Sequence, residues 1–475
     1  MAIKKFFATK DNTITDGYGS VKSTRATDAN MGAADILEVY SLYGSFATSS
    51  LEKSRFLVQF DTTDIAAKRT DGDIPASGSV NFFLKLTNAP HEGTQATDFT
   101  LTINAVSRSW DEGIGLDMDE YLDTGISNWK TASYDGTTYT AWTTDGGDYH
   151  TSPETTATFT TGIENLDVDV TDIVEQWLAG TKSNYGFFIK LSSSYESGTA
   201  NTIPSSSYYT KKFFARGSEY FFKKPSLDAR WNSSKGDDRG SFYASSSLAS
   251  AADNLNNIYL YNNIRGQLSN IPDIGTGAIY VNFYSTLGGS ALNSTAVTGG
   301  WSETGIYTAS AALSTTASEV YDVWFSGSTE YHTGSAITVK SFVSDTYNPD
   351  SQYVVNVTNL RPTYTTGSSD TARMRLYIRK KDWSPTIYTT ATAAIESEVV
   401  EKVYYSIKRV VDNLVVVPYG TGSVQETLMS YDVSGSYADV DFSNFESGYQ
   451  YEISFKLYLQ SKYIEPKDTF RFRVE

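Results

Sequence analysis

Residues 449–459 read YQYEISFKLYL, in which apolar side chains at the odd positions alternate with mostly polar ones at the even positions. Because successive side chains of a strand point to opposite faces of a sheet, this period of two predicts a strand with one buried face. The same alternation recurs at 55–60, 99–104 and 470–474. We therefore predict an all-β chain.

The length and composition favour several sheet domains. The 475 residues include 34 Tyr and only 11 Pro, and a chain of this length suits three domains with a core each. Turn-rich polar stretches at 232–247 and around 344–351 are the expected boundaries. We expect tandem β-sandwich domains, with a jelly-roll-like sandwich at 1–231 followed by two immunoglobulin-like sandwiches at 248–344 and 351–475.

Several classes of function are disfavoured by composition. The chain has no Cys, which removes disulfides, thiolate metal sites and thiol catalysis. Its net charge of -17 disfavours binding to a phosphate backbone, so no nucleic-acid partner is expected. No apolar run approaches the ~18 residues of a membrane helix, and residues 1–7 (MAIKKFF) do not resemble a secretory signal. We expect no membrane insertion, and folding in a cytoplasm.

One segment changes from strand to helix spacing. Ile173, Val174, Trp177 and Leu178 form an apolar stripe, and Gly180 follows as a helix stop. This pattern predicts a short helix packed on the first sandwich.

Residues 1–231 resemble the DNRLRE family of jelly-roll-like β-sandwich modules. The matching stretches are, in chain order, 54–61 (SRFLVQFD), 110–113 (WDEG), Trp142 with 146–148 (GGD), 169–180 (DVTDIVEQWLAG), 184–187 (NYGF), 213–216 (FFAR) and 224–227 (KPSL). The family's usual Arg-Pro is Lys-Pro at 224–225. The resemblance implies a module typical of large bacterial surface proteins and similar to carbohydrate-binding modules. Beyond residue 240, 305–309 (GIYTA) and 320–325 (VYDVWF) resemble strands of an immunoglobulin-like domain.

Acidic residues concentrate between 111 and 123, where Asp111, Glu112 and Glu120 accompany three further aspartates. Hard cations bind several oxygens from such loops, so calcium is the one cofactor that the sequence suggests. The calcium candidates are Asp117, Asp119 and Asp123 in this loop and Asp145 and Asp148 beside a Gly-Gly pair. The alternative is a solvated turn, since no EF-hand pattern is present.

Aromatic residues in a loop-rich region suggest a sugar-stacking platform. The candidates are Trp129, Tyr134, Tyr139 and Trp142. The alternative is that Trp142 and its neighbours cap the core.

Catalytic and docking residues are harder to find. His91, His150 and His332 have no metal-ligand spacing and are expected on the surface or in loops, and no G-x-S-x-G elbow is present. No catalytic residue is therefore predicted, although Glu112 and Asp117 are the carboxylates that a glycosidase or lyase would use. A basic face for docking an acidic partner is predicted at Arg373, Arg375, Arg379, Lys380 and Lys381.

These features together predict a non-enzymatic structural protein of a phage virion. A surface-type module without a secretory signal is explained if the chain folds in the host cytoplasm and leaves by lysis as part of a particle. We expect a head, neck or tail appendage, fibre or decoration protein. It would contact other virion proteins as a symmetric homo-oligomer. A host-surface glycan is a further candidate partner. The alternative is a carbohydrate-binding or adhesive module of a bacterial surface protein.

Overall fold

The computed structural model describes residues 2–19, 24–44, 50–90, 95–196, 208–340, 352–366, 371–381, 387, 397–459 and 461–475. The chain divides into two compact units, Ala2–Asn232 and Ser233–Glu475. The regular structure of both is mostly strands, and nearly all strand pairs are antiparallel. The chain is all-β and is built from tandem β-sandwich domains, as predicted.

The first unit contains twelve strands among its described residues. They are β1 Ile3–Thr15, β2 Ile36–Gly44, β3 Ser50–Phe60, β4 Asn81–Leu86, β5 Phe99–Val106, β6 Thr131–Tyr134, β7 Tyr139–Ala141, β8 Tyr149–Phe159, β9 Leu166–Asp169, β10 Phe187–Leu191, β11 Tyr208–Phe214 and β12 Ser226–Arg230. Its helices are α1 Thr62–Thr70, α2 Thr171–Leu178, α3 Ser193–Glu196 and the 3₁₀ turn Phe221–Lys223.

Strand β1 belongs to both sheets of this sandwich. Its first half pairs with β12, which continues to β4 and β9, and its second half pairs with β3 after a register shift between Ala8 and Lys10. The second sheet has the order β8-β5-β10-β3, with β2 and β11 following β3. Alternate side chains such as Phe56, Val58 and Phe60 form the core, which confirms this predicted strand.

Helix α2 confirms the predicted apolar stripe. Ile173, Val174 and Trp177 are buried, and the Trp177 ring lies 4.7 Å from that of Phe187. Gly180 follows with a φ of +70°, a conformation that costs glycine little and lets the chain leave the helix.

The second unit begins with strands that form one sandwich. They are β13 Phe242–Tyr243, β14 Asn256–Tyr261, β15 Asn263–Ile264, β16 Gln267–Leu268, β17 Ala278–Tyr284, β18 Val297–Glu303, β19 Ile306–Ala311, β20 Glu319–Ser326, β21 Thr329–Thr333 and β22 Ile337–Lys340. The main sheet has the order β13-β22-β20-β17-β18-β19-β14. Tyr307 and Trp324 are fully buried in its core, on strands that the sequence predicted.

The remaining strands form two further sheets. They are β23 Tyr353–Val357, β24 Thr363–Tyr364, β25 Thr371–Lys380, β26 Val403–Arg409, β27 Val415–Val417, β28 Ser430–Asp432, β29 Gly435–Asp441, β30 Gln450–Leu459, β31 Lys462–Ile464 and β32 Phe470–Val474. One sheet has the order β23-β25-β29-β28 and the other β24-β32-β30-β26-β27, with 3₁₀ turn Phe442–Asn444 after β29. Tyr451, Ile453, Phe455 and Leu457 are buried along β30, as their alternation predicted.

The stretch 232–247, an expected domain boundary, begins where the chain divides, between Asn232 and Ser233. The rest of the stretch is part of the second unit. Asp238–Gly240 form a 3₁₀ turn, and Phe242 is fully buried in the core of the sandwich that follows. The Arg239 guanidinium donates to the buried carboxylate of Asp322 at 2.6 Å. The buried Phe242 ring and this ion pair therefore fix the stretch to the sandwich that follows, despite its polar composition. The second expected boundary, around 344–351, lies outside the described residues.

The first sheet of the first unit depends on one buried carboxylate. Asp228 is fully buried between Lys5 at 3.1 Å and Arg230 at 3.2 Å, and its other oxygen accepts from Ser226 at 2.9 Å. Although burial opposes ionisation, these two cations hold the pKa of Asp228 well below its usual range. The carboxylate is thus ionised and stabilising at neutral pH.

We predict that Asp228→Asn lowers the free energy of unfolding by about 3 kcal/mol, because it leaves two buried cations without their shared partner. The difference from wild type should shrink as the pH falls below about 4, the range in which the unfolded carboxyl protonates. Urea denaturation followed by Trp fluorescence measures both effects. Asp73→Asn, in the exposed pair with Lys68, is the control and should change stability by less than about 1 kcal/mol. An equal loss in both variants would contradict the account.

Candidate functional site

Residues 107–148, here called the long loop, join β5 to β8 and include the β6–β7 hairpin. Trp110, Trp129 and Trp142 on this loop are buried against Leu57 and Phe188. Both of these residues have strand neighbours, such as Phe56 and Phe187, that lie in the main core, so they occupy the opposite face of their sheet. The long loop therefore covers the outer face of the second sheet.

The predicted sugar-stacking platform is wrong for its two indoles. Trp142 donates from Nε1 to the Asn128 carbonyl at 2.8 Å, and both Trp129 and Trp142 are buried. They form a second small core, which is the alternative that the sequence left open. Tyr134 and Tyr139 of the hairpin are exposed, but their rings stack on each other at 4.4 Å. A ring face used in this way is less available to a sugar.

A groove of about 540 Å³ lies at one margin of the long loop. Its lining residues are Arg55, Ser107, Arg108, Thr143, Thr144, Asp145, Gly147, Asp148 and Tyr149. The groove thus brings together two of the calcium candidates with two guanidinium groups and a tyrosine ring. Most of its lining is polar, which suits hydrogen bonding to a polar ligand.

Arg55 is fixed at the groove by contacts on every side. Its guanidinium donates to both Glu196 oxygens, at 3.2 and 2.6 Å, and to the Gly146 carbonyl at 2.8 Å. Its plane also lies 5.0 Å from the Trp129 ring centroid. A bidentate pair with little exposure holds its geometry well, so Arg55 offers a preorganised guanidinium wall whose charge is balanced by Glu196.

The opposite wall is a turn organised by Asp148. Its carboxylate accepts the backbone N–H groups of Thr143 at 2.8 Å and Thr144 at 3.0 Å, and it pairs with Arg108 at 3.2 Å. Both oxygens of Asp148 are therefore occupied by the protein itself. Asp145 is exposed at the tip of the same turn.

Tyr149 closes the groove above a polar strip of the sheet. Its ring stacks on Phe188 at 4.7 Å, and the Lys190 ammonium lies 5.8 Å from its centroid. Lys190 pairs in register with Thr102, whose buried hydroxyl has no hydrogen-bond partner. The buried side-chain amide oxygen of Asn104 likewise has no hydrogen-bond partner. Neither residue lines the groove, and both atoms are shielded from solvent.

The remaining calcium candidates serve as acceptors for the loop backbone. Asp117 accepts from the backbone N–H groups of Asp119, Glu120 and Leu122 at 2.9 to 3.0 Å, which holds its pKa below the usual range. Asp123 accepts from Leu116 at 2.7 Å and from Asp117 at 3.0 Å. In the described part of the chain no three acidic or His side chains converge on one point. The calcium prediction gains no support from this geometry.

The predicted basic face is largely neutralised by its own sheet. Arg373 forms a bidentate pair with Asp439 at 2.9 and 3.0 Å, and Arg375 does the same with Asp432 at 3.0 and 2.8 Å. Both guanidinium groups also lie against the Tyr437 ring. The expectation of a free cationic surface at these two residues is therefore wrong, because the neighbouring strands supply matching carboxylates that strand parity on β25 could not reveal.

The other members of that face also have partners. Lys380 lies 3.8 Å from Glu398, Lys381 donates to the Gln352 side chain at 2.9 Å, and Arg379 donates to the Lys380 carbonyl at 3.1 Å.

Neither of the two described histidines lines the groove. His150 is half-buried on β8, where burial and Lys182 lower its pKa, and His332 is exposed on β21. Both are on strands rather than in loops. His91 lies outside the described residues.

Three groove residues, Arg55, Arg108 and Tyr149, and the neighbouring Lys190 were not predicted from the sequence. Arg55 and Lys190 occupy outward positions of strands whose inward positions are apolar, which is a usable signal. Arg108 and Tyr149 acquire their role only because the long loop folds back on the sheet.

Comparisons with known proteins identify no family. No family model matches the chain, and no curated protein matches it. The DNRLRE resemblance therefore stays a prediction. Within the described residues, no helix is long and apolar enough to span a bilayer.

Solved structures that resemble the chain do so at low scores. The fibronectin(III)-like modules of Clostridium thermocellum CbhA give a TM-score of 0.16 at 14% identity, covering 51% of this chain and 92% of that one. A marsupial T cell receptor gives 0.14 at 9%, covering 46% and 68%. A DUF4785 family protein from Legionella pneumophila gives 0.14 at 8%, covering 93% and 90%.

We predict that Trp142→Ala costs about 3–5 kcal/mol of unfolding free energy, because it empties the core beneath the long loop. Tyr139→Ala on the adjacent hairpin is the matched control and should cost less than about 1 kcal/mol, since its ring is exposed. Chemical denaturation of both variants measures the difference. If Trp142→Ala were as mild as Tyr139→Ala, the indole would not be a core residue.

A pH effect is expected at Asp11, on β1 beside the long loop. Its carboxylate accepts the Arg216 backbone N–H at 2.5 Å, and burial raises its pKa to about 7. Because the folded state holds this proton more tightly than the unfolded chain, the contribution to stability is full below about pH 4 and is lost as the pH rises through about 7.

The unfolding free energy of Asp11→Asn should therefore fall less between pH 4 and pH 8 than that of wild type. Thermal melting of wild type, Asp11→Asn and the exposed control Asp64→Asn across this range measures the effect. Parallel pH profiles for all three would contradict the assignment.

Proposed function

We propose that this chain is a non-enzymatic structural protein of a phage particle, acting as a head, neck or tail appendage, fibre or decoration protein. One part of it docks on the particle, and the other sandwich domains serve assembly or contact with the host surface. Its partners are other particle proteins, and copies of the chain are arranged by the symmetry of the particle. The observation that carries the proposal is the polar junction inside Ser233–Glu475.

The junction is the segment 235–241, which bonds to both sandwiches of the second unit. On one side, Asp237 donates from its backbone N–H to the Tyr431 carbonyl at 3.0 Å, and the Tyr431 hydroxyl donates to Asp238 at 2.7 Å. On the other side, Asp238 accepts from the Asn257 backbone N–H at 2.5 Å, and Arg239 pairs with Asp322 at 2.6 Å. A segment tied to two cores in this way limits independent motion of the sandwiches.

Two sandwiches that move little relative to each other suit a component that must keep its shape on a particle. Asp237, Asp238 and Arg239 are largely shielded from solvent, and burial raises the pKa of both aspartates. Buried polar networks of this kind favour a single arrangement of the parts they connect. Arg373 and Arg375 of the second unit likewise form ion pairs within their own sheet. These features support a mechanical role better than a chemical one.

The proposal is tested by immunogold electron microscopy of a source lysate, with antibodies against residues 2–232. We expect label at one defined position on phage particles. Label on bacterial envelopes with bare particles would overturn the proposal and favour a surface adhesin. Preadsorbing the antibody with purified chain is the control.

A second candidate function, glycan binding, is favoured by the groove of the long loop. Arg55 and Arg108 supply guanidinium N–H groups, and Tyr149 supplies a ring. Hydroxyl groups both donate and accept, so a saccharide suits a lining that combines guanidinium N–H groups with Ser and Thr hydroxyls and carboxylates.

Glycan binding is tested on an array with the full chain. Arg108→Ala and Tyr149→Ala should each reduce any signal at least about tenfold, because each removes a direct contact. Tyr139→Ala, outside the groove, should leave the signal unchanged. Absence of any array signal, or equal loss in all three variants, would count against this function.

A further inference from the structure

The long loop carries an unusual concentration of exposed apolar side chains. Ile114 is 79% exposed, Leu116 67%, Leu122 62% and Tyr139 52%, and Tyr134 is also exposed. These five residues, here called the apolar patch, are five of the seven exposed large hydrophobic residues of the described part of the first unit. Single exposed apolar residues are ordinary, but a cluster marks an interaction surface.

Contacts of the loop bring the patch together. Leu116 and Asp117 donate from their backbone N–H groups to the Asp123 carboxylate, beside Leu122. Farther along, a Cβ at Gly125 would lie 3.4 Å from the Tyr139 hydroxyl. The patch therefore continues from the 114–122 turn to the hairpin.

The hairpin closes back on the start of the loop. Tyr139 stacks on Tyr134, and the Tyr134 backbone N–H donates to Asp111 at 3.0 Å, three residues before Ile114. Tyr134 therefore connects the hairpin residue Tyr139, through the ring contact, to the start of the loop near Ile114, through the hydrogen bond to Asp111.

The patch is held in place before any partner arrives. The Asn30 side chain accepts from the Gly115 backbone N–H at 3.0 Å and donates to the Ser127 carbonyl at 2.6 Å. Gly113 packs so closely on Asn30 that an added Cβ would lie 1.5 Å from the amide. A surface fixed in this way loses little conformational entropy on binding.

The charge around the patch is strongly negative. Residues 111–139 contain seven acidic residues, Asp111, Glu112, Asp117, Asp119, Glu120, Asp123 and Asp135, and one basic residue, Lys130. The net charge of this segment is therefore -6. An apolar surface with an acidic rim is complementary to an apolar surface with a rim of Lys and Arg.

We propose that the apolar patch docks this chain on a different protein whose surface is apolar and bordered by basic residues. The inference rests on the proposed function, because that protein is a component of the particle. It replaces the β25 face as the docking site, since Arg373 and Arg375 are already paired within their own sheet.

The test is genetic and uses the whole particle. Phage encoding the triple variant I114S/L116S/L122S is compared with wild type for the amount of this chain in purified particles, measured with the antibody. We expect at least a tenfold loss of bound chain, because three apolar anchors are removed. Ile163→Ser, an equally exposed residue of the same unit outside the loop, is the matched control and should have no effect.

A second variant tests the charged rim. Asp119→Lys with Glu120→Lys should lower bound chain less than the triple variant, and the loss should be greatest at low salt, where unlike charges attract most strongly. Thermal melting of every variant as purified protein shows that the fold is retained, as expected for exposed residues.

The outcomes separate the two proposals. If wild-type chain and the triple variant were present on particles in equal amounts, the patch would not be the docking site, while the proposed function would stand. Absence of the wild-type chain from particles would overturn both. If purified wild type self-associated in sedimentation and the triple variant did not, the occupant would be a second copy, which would overturn the proposal of a basic partner.

Discussion

Burial of three indole rings, Trp110, Trp129 and Trp142, is the interaction on which the functional surface of the first unit depends. A loop that spans residues 107–148 must lose considerable backbone entropy to adopt one conformation, and this chain has no disulfide to assist. The rings supply the compensating hydrophobic free energy on the outer face of a sheet. The groove on one margin and the apolar patch on the other are both consequences of this second small core.

Several ion pairs with little exposure stabilise each unit from within. Arg55 with Glu196, Asp228 with Lys5, and Arg239 with Asp322 are pairs with little exposure that join distant parts of their own unit. The acidic excess remains on surfaces such as the segment 111–139. These internal ion pairs, together with the acidic and partly apolar long loop, are the features on which we base the proposal of a structural role.

The fold could be predicted from the sequence more fully than the site. Alternation along β30 and the stripe of α2 report directly on which side chains are buried, because a single element determines the pattern. The site depends on contacts between segments that are far apart in the chain. Strand parity placed Arg373 on one face but could not show that Asp439 lies opposite on β29. Likewise, nothing local distinguished Trp142 as a core residue from an exposed platform, since its partners Leu57 and Phe188 lie far away in the chain.

The central claim is that the first unit attaches to a particle protein through the acidic, apolar long loop. Carbodiimide treatment of intact particles, which joins a carboxylate directly to an amine in contact with it, followed by mass spectrometry, tests this most directly. The account predicts cross-links from Asp119, Glu120 or Asp135 to lysines of a different particle protein. Cross-links from these residues only to lysines of the same chain, with intermolecular links formed elsewhere, would contradict it.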